Sequence, residues 1–170
     1  MLFSSIAVLF TSFPEGSFCP GSSAWIHAKS VVSVELNAPC VDVLEEMVAR
    51  VAGEGGWYDP HNRGSYSIAE KNSSIVELSR VTGGSGMFVD KIVFSLEQQL
   101  QGNCNIIACS ESQVTSVADM STNYCNIHNL YCGSHWGPAC KFVKHDFAPA
   151  KESTTESIGA TNKPSDCIVV

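Results

Sequence analysis

Asp59, His61 and Arg63 stand two residues apart behind Trp57 and Tyr58, so a carboxylate, an imidazole and a guanidinium share one short segment. Two kinds of chemistry fit. As a ligand loop, Trp57 and Tyr58 would offer ring faces for stacking and Arg63 would grip a carboxylate. As turn chemistry, Asp59-Pro60 opens a turn, Gly64 closes it, and Trp57 fills the gap between a helix and a sheet. The turn reading accounts for more of the residue types; the segment stays the candidate ligand site, with His128 as a further contact. Hydrolysis would need His61 or His128 beside a carboxylate such as Asp59 or Asp119, and no G-x-S-x-G elbow accompanies them. No catalytic residue is therefore assigned.

Cysteine is the other residue type able to do chemistry. Cys104, Cys109, Cys125, Cys132 and Cys140 crowd into one stretch, and no pair is spaced C-x-x-C. That removes the usual redox motif and the zinc-knuckle pattern together. A zinc site from Cys125, Cys132, Cys140 and His128 or His135 would need ligand gaps wider than structural zinc sites use. A Cys nucleophile would need a reduced thiol beside an imidazole. Disulfides fit better, and they place the chain in an oxidising compartment. At least two bridges are expected among Cys40, Cys104, Cys109, Cys125, Cys132 and Cys140. No metal and no cofactor is expected.

The 170 residues suit a single domain, and only 16% are charged, with a net charge of -7. The ten Lys and Arg residues are scattered singly. Such a chain has no electrostatic footprint for nucleic acid or an anionic membrane, which excludes both as main partners. Residues 1–13 are apolar and uncharged but too short to cross a bilayer, which takes about 20 apolar residues. They read as the core of a signal peptide, so 1–30 is expected to be a leader, without stable membrane insertion. Cleavage after Ala24 would remove Cys19 and leave an odd number of cysteines; retention would let all eight pair.

Leu44, Met47, Val48 and Val51 recur at i, i+3, i+4 and i+7 and predict a helix over 40–52. Pro39 stands in its first turn, Gly53 closes it, and Glu46 and Arg50 are spaced to pair along it. Strands are expected at 65–69, 75–82, 87–96, 105–109 and 113–117, with 83–86 as a hairpin connection. The fold class is α+β: one N-terminal helix on a four- to five-stranded antiparallel sheet, with a disulfide-stapled C-terminal half. The single domain spans 31–148. Residues 149–170 read as a polar tail stapled back through Cys167. The last four residues formally fit C-a-a-X, but no polybasic run precedes them and prenylation is cytosolic. Asn72-Ser73-Ser74 is an N-glycosylation sequon in an expected strand-connecting loop.

The order of helix and meander resembles the cystatins, and Gln113-Val114-Thr115-Ser116-Val117 is similar to their Q-x-V-x-G inhibitory loop. Thr115 and Val117 depart from that motif, and the segment follows the strands where the family places it in the first hairpin. The blocks 57–64 and 109–132 also resemble a group of small secreted cysteine-rich proteins of unicellular eukaryotes. That second resemblance implies secretion and no particular activity. The expected function is a secreted, disulfide-stabilised, non-enzymatic binding module for a protein or small-molecule ligand. A cystatin-like protease inhibitor and a small extracellular hydrolase are the alternatives.

Overall fold

Val32, Val34 and Leu36 alternate with more exposed residues, and this period of two builds β1 (Lys29–Leu36) ahead of the helix. The computed structural model describes residues 18–82, 87–137, 140–157 and 160–168. The apolar stretch 1–13 and the hairpin connection 83–86 lie outside them. After β1 come α1 (Cys40–Val51), β2 (Ser65–Lys71), β3 (Ile75–Thr82), β4 (Phe88–Gln98), β5 (Cys104–Ser112), α2 (Thr122–Tyr131) and β6 (Pro149–Glu156). The strands form one antiparallel sheet in the order β2-β3-β4-β5-β1-β6. The architecture is α+β, as expected, with six strands and two helices.

Four expectations need correction. The helix is not N-terminal, because β1 precedes it and fills the gap between β5 and β6. Residues 113–117 form no strand; the β5 ladder ends at Ser112, and the chain turns away after Gln113 bonds to Val89. Residues 149–156 are not a tail. They pair along β1 as an edge strand, whose side chains need little burial because the backbone ladder is what orders them. The leader boundary at 30 falls inside β1.

One face of the sheet, carrying Val34, Leu36, Leu78, Phe94 and Ile106, packs under both helices. α1 turns more of its surface inward than the apolar stripe alone: Val43, Glu46, Met47 and Arg50 are buried, while Leu44, Val48 and Val51 are half-buried. Ile92 and Phe94 line the core, whereas Phe88, at the start of β4, is exposed. Glu46 and Arg50, spaced as a surface pair would be, form a buried one at 2.6 Å. Burial works to raise the Glu46 carboxyl, but the backbone N–H groups of His145, Lys144 and Val143 and the Arg50 guanidinium outweigh it and hold the pKa below the usual carboxylate range. Met47→Ala should therefore cost about 1 kcal/mol or more beyond Leu44→Ala, since only Met47 leaves a closed cavity. Paired urea titrations of the two variants measure the difference.

All eight cysteines pair, as Cys19–Cys109, Cys40–Cys104, Cys125–Cys167 and Cys132–Cys140. Their Cα separations of 4.8–5.9 Å suit bridges. Two bridges lie within the expected set of six; Cys109 and Cys125 reach outside it to Cys19 and Cys167. Cys40–Cys104 ties the start of α1 to the helix-covered face of β5. Cys109, of opposite parity on β5, holds the N-terminal segment against the other face.

Candidate functional site

The loop between α1 and β2 is organised by one carboxylate. Asp59 is buried, and its Oδ2 accepts from Arg80 Nε at 2.9 Å, Arg80 Nη2 at 2.5 Å and the Gly64 N–H at 3.1 Å. Its Oδ1 accepts from the His61 N–H at 3.1 Å and from Asn129 Nδ2 at 2.9 Å. Arg80 comes from β3 and is fully buried; its Nη2 also donates to the His61 carbonyl. Gly64 packs so closely on this guanidinium that a Cβ there would collide with it.

Beyond Arg80 the polar contacts run across the sheet to α2. Asp90 lies 3.9 Å from Arg80 Nη1 and accepts from Ser112 Oγ and Asn126 Nδ2. Asn126 Nδ2 also donates to Ser110 Oγ, which donates to Asn123 Oδ1. Asn123 in turn donates to Asp119, whose Oδ2 also accepts the Asn123 backbone N–H and so caps α2 from outside. Asn123, Asn126 and Asn129 are three residues apart and form a polar stripe on a helix with almost no exposed surface.

The segment thus divides. Asp59 and His61 point inward, whereas Tyr58 is 54% exposed and Arg63 lies at the surface with its guanidinium 5.9 Å from the Tyr58 ring centroid. Asn62 and Arg63 hold left-handed backbone angles, φ 60° and 50°. Side chains other than glycine rarely adopt that conformation unless surrounding contacts enforce it. Asp59 supplies such contacts by bonding the N–H groups on either side, at His61 and Gly64. Arg63 pairs with no carboxylate among the described residues. Trp57 is half-buried, 6.3 Å from the Tyr66 ring, and plugs the core edge.

The imidazoles expected here are committed to internal contacts. His61 Nδ1 donates to the Asp166 carbonyl at 2.9 Å, and Nε2 faces the Thr122 hydroxyl at 3.3 Å. Burial above all, with the Arg80 guanidinium adding to it, holds its pKa below the usual imidazole range. His128, expected as a further ligand contact, is buried in α2, stacked on Tyr124 and met edge-on by Tyr131 and Trp136. The Tyr124 hydroxyl gives its proton to Glu152 at 2.9 Å, so at 3.2 Å His128 Nδ1 is the donor to Tyr124. Neither His61 nor His128 bonds a carboxylate through its ring. His27, 2.6 Å from Glu111, does, but its other nitrogen meets the Ala24 carbonyl at 2.6 Å. With an oxygen facing each nitrogen, that ring staples the N-terminal segment to β5.

Among the described residues no cluster of His, Cys, Asp and Glu is arranged to hold a metal ion. The zinc alternative is overturned, because Cys132 and Cys140 bond each other while Cys125 bonds Cys167. Asn72 lies exposed in the β2–β3 turn, where its Oδ1 accepts from the Ser74 and Ile75 N–H groups at 2.8 Å each and its Nδ2 makes no hydrogen bond among the described residues. Secretion from a eukaryotic host should attach a glycan at this nitrogen. A mass decrease on peptide N-glycosidase treatment, absent from Asn72→Gln, would report it; an unmodified mass in both would refute it.

No protein-family model matches the chain, and no curated protein matches it.

Proposed function

We propose that the chain is a secreted binding module without catalytic chemistry, contacting its ligand through Tyr58 and Arg63. The supporting observation is the division of a single loop. Its acid and imidazole are spent inside on rigidity, while an aromatic ring and a guanidinium with no carboxylate partner among the described residues are presented outward on an enforced backbone. Rigid aromatic and arginine groups on a loop fixed from below suit recognition, because little order is lost on binding. The fitting ligand carries a carboxylate for Arg63 and a flat face for Tyr58, as an acidic sugar or an acidic peptide with a ring does. Four disulfides accord with an oxidising compartment, and among the described residues no helix is long and apolar enough to cross a membrane.

The test is an array of acidic and neutral glycans and peptides probed with the bridged protein. Binding should concentrate on carboxylate-bearing members and fall about tenfold or more in Tyr58→Ala and in Arg63→Ala, with thermal stability unchanged. Binding that survives the double variant would overturn the assignment. So would the absence of any bound member together with turnover of ester, peptide or glycoside substrates.

A further inference from the structure

We infer that Cys132–Cys140 is a thiol-exchange site, opened by an external thiolate that attacks Cys140 and expels Cys132. The four bridges differ in two respects that govern exchange, the access to one sulfur and the stabilisation of the other as a leaving group. Cys40–Cys104 and Cys125–Cys167 are buried at both ends. Cys19 and Cys140 are half-buried, so an incoming thiolate can approach their two bridges. The partner sulfurs then separate these two. Cys109 lies between Val31 and Val93 on neighbouring strands, and its sulfur receives no hydrogen bond from a cation among the described residues. Cys132 is buried with Arg50 Nη1 at 3.8 Å from its Sγ.

Arg50 is fixed in that position. Its Nε donates to Glu46 at 2.6 Å, its Nη1 to the Asn129 carbonyl at 2.8 Å and its Nη2 to the Cys132 carbonyl at 2.6 Å. A guanidinium aimed at a sulfur stabilises the thiolate over the thiol, so Cys132 leaves more readily than a thiol in apolar surroundings. In the first step the incoming R–S⁻ forms a bond to Cys140 Sγ, the Cys132–Cys140 bond breaks, and its electron pair stays on Cys132 as a thiolate beside Arg50. A second thiolate of the same class attacks the R–S–Cys140 mixed disulfide. It releases R–S–S–R and leaves Cys140 as a thiolate that takes a proton from water. Two thiols are oxidised and one bridge is reduced.

The geometry also states what the exchange changes. The bridge closes the segment that carries Trp136, whose ring meets His128 at 5.5 Å and Tyr131 at 5.7 Å. Ser134 remains anchored after opening, since its N–H and hydroxyl both donate to Asp146. The far end of the segment loses its crosslink to the end of α2, and the cover over His128 is then held by packing and by the local backbone hydrogen bonds of Trp136 to Gly133 and Gly137 to Ser134.

The experiment exposes the oxidised protein to graded reduced glutathione under native conditions. Free thiols are trapped at intervals with one alkylating agent, and the remainder are labelled with a second after denaturing reduction. Peptide masses should show Cys132–Cys140 opening at least about tenfold faster than any other bridge, with the early glutathione adduct on Cys140 and the early free thiol on Cys132. Arg50→Gln should slow that step about tenfold where it folds. If it does not fold, the order of opening and the site of the adduct in the native protein decide the matter. Another bridge opening first, an adduct on Cys132, or an opening rate unaffected in a folded Arg50→Gln protein would overturn the inference.

Discussion

Asp59→Ala is expected to destabilise the protein by about 3–5 kcal/mol, the usual cost of leaving half of a buried ion pair behind. Arg80 is completely buried, and its remaining carboxylate neighbour, Asp90, lies 3.9 Å from it. The substitution also strips a partner from the Asn129 amide and from the Gly64 and His61 N–H groups. For a domain whose total stability is about 5–15 kcal/mol, that is a large share. The double variant Asp59→Leu/Arg80→Met should recover much of the loss, because it removes both charges from the core. Gly64→Ala should imitate Asp59→Ala from the other side by pushing the guanidinium off its carboxylate. Denaturant midpoints with all bridges intact measure the series. An Asp59→Ala protein within about 1 kcal/mol of the parent would show that the loop is not organised by this carboxylate.

The same cluster shows which parts of the fold are visible in the amino-acid pattern. α1 is legible because its apolar residues recur at helical spacing, and β3 and β4 because their apolar residues alternate. α2 is not, since Asn123, Asn126 and Asn129 occupy the face where a buried helix ordinarily carries apolar residues, and they answer Ser110, Asp90 and Asp59 on partners distant in the chain. β6 is hidden for a different reason: an edge strand held by the β1 ladder can be built from Lys, Glu, Ser and Thr. In the site, Asp59 and His61 attract notice through their chemistry, but Arg80 escapes it inside a β-branched run. Parity was the available signal. Val76, Leu78 and Arg80 fall on one side of β3, so an inward apolar face implies an inward arginine, and that arginine requires a carboxylate.

Acid should unfold the protein in two stages, and the first belongs to His128. Burial, with Arg50 nearby, depresses its pKa from 6.5 to about 4 in the fold. Above pH 6.5 the ring is neutral in the folded and unfolded chains alike, so its contribution is constant. As the pH falls through 6.5 the unfolded chain takes up a proton that the folded chain refuses, and stability declines until the folded ring protonates near pH 4. A separation of that size corresponds to about 3 kcal/mol, spread over this window. His61, also depressed, adds a loss of the same sign that begins at the same upper edge. Glu46, whose pKa is lowered, acts later: its stabilisation is present above the ordinary carboxylate range and is lost as the pH falls through its folded pKa. His128→Phe keeps a ring among Tyr124, Tyr131 and Trp136 but cannot take a proton. Its stability should therefore be flatter between pH 6.5 and 4 than the parent's, with a residual slope from His61, and the later carboxylate loss should remain. Urea titrations at half-unit pH intervals separate the two stages, and an unchanged slope in His128→Phe would show that this imidazole does not control the first.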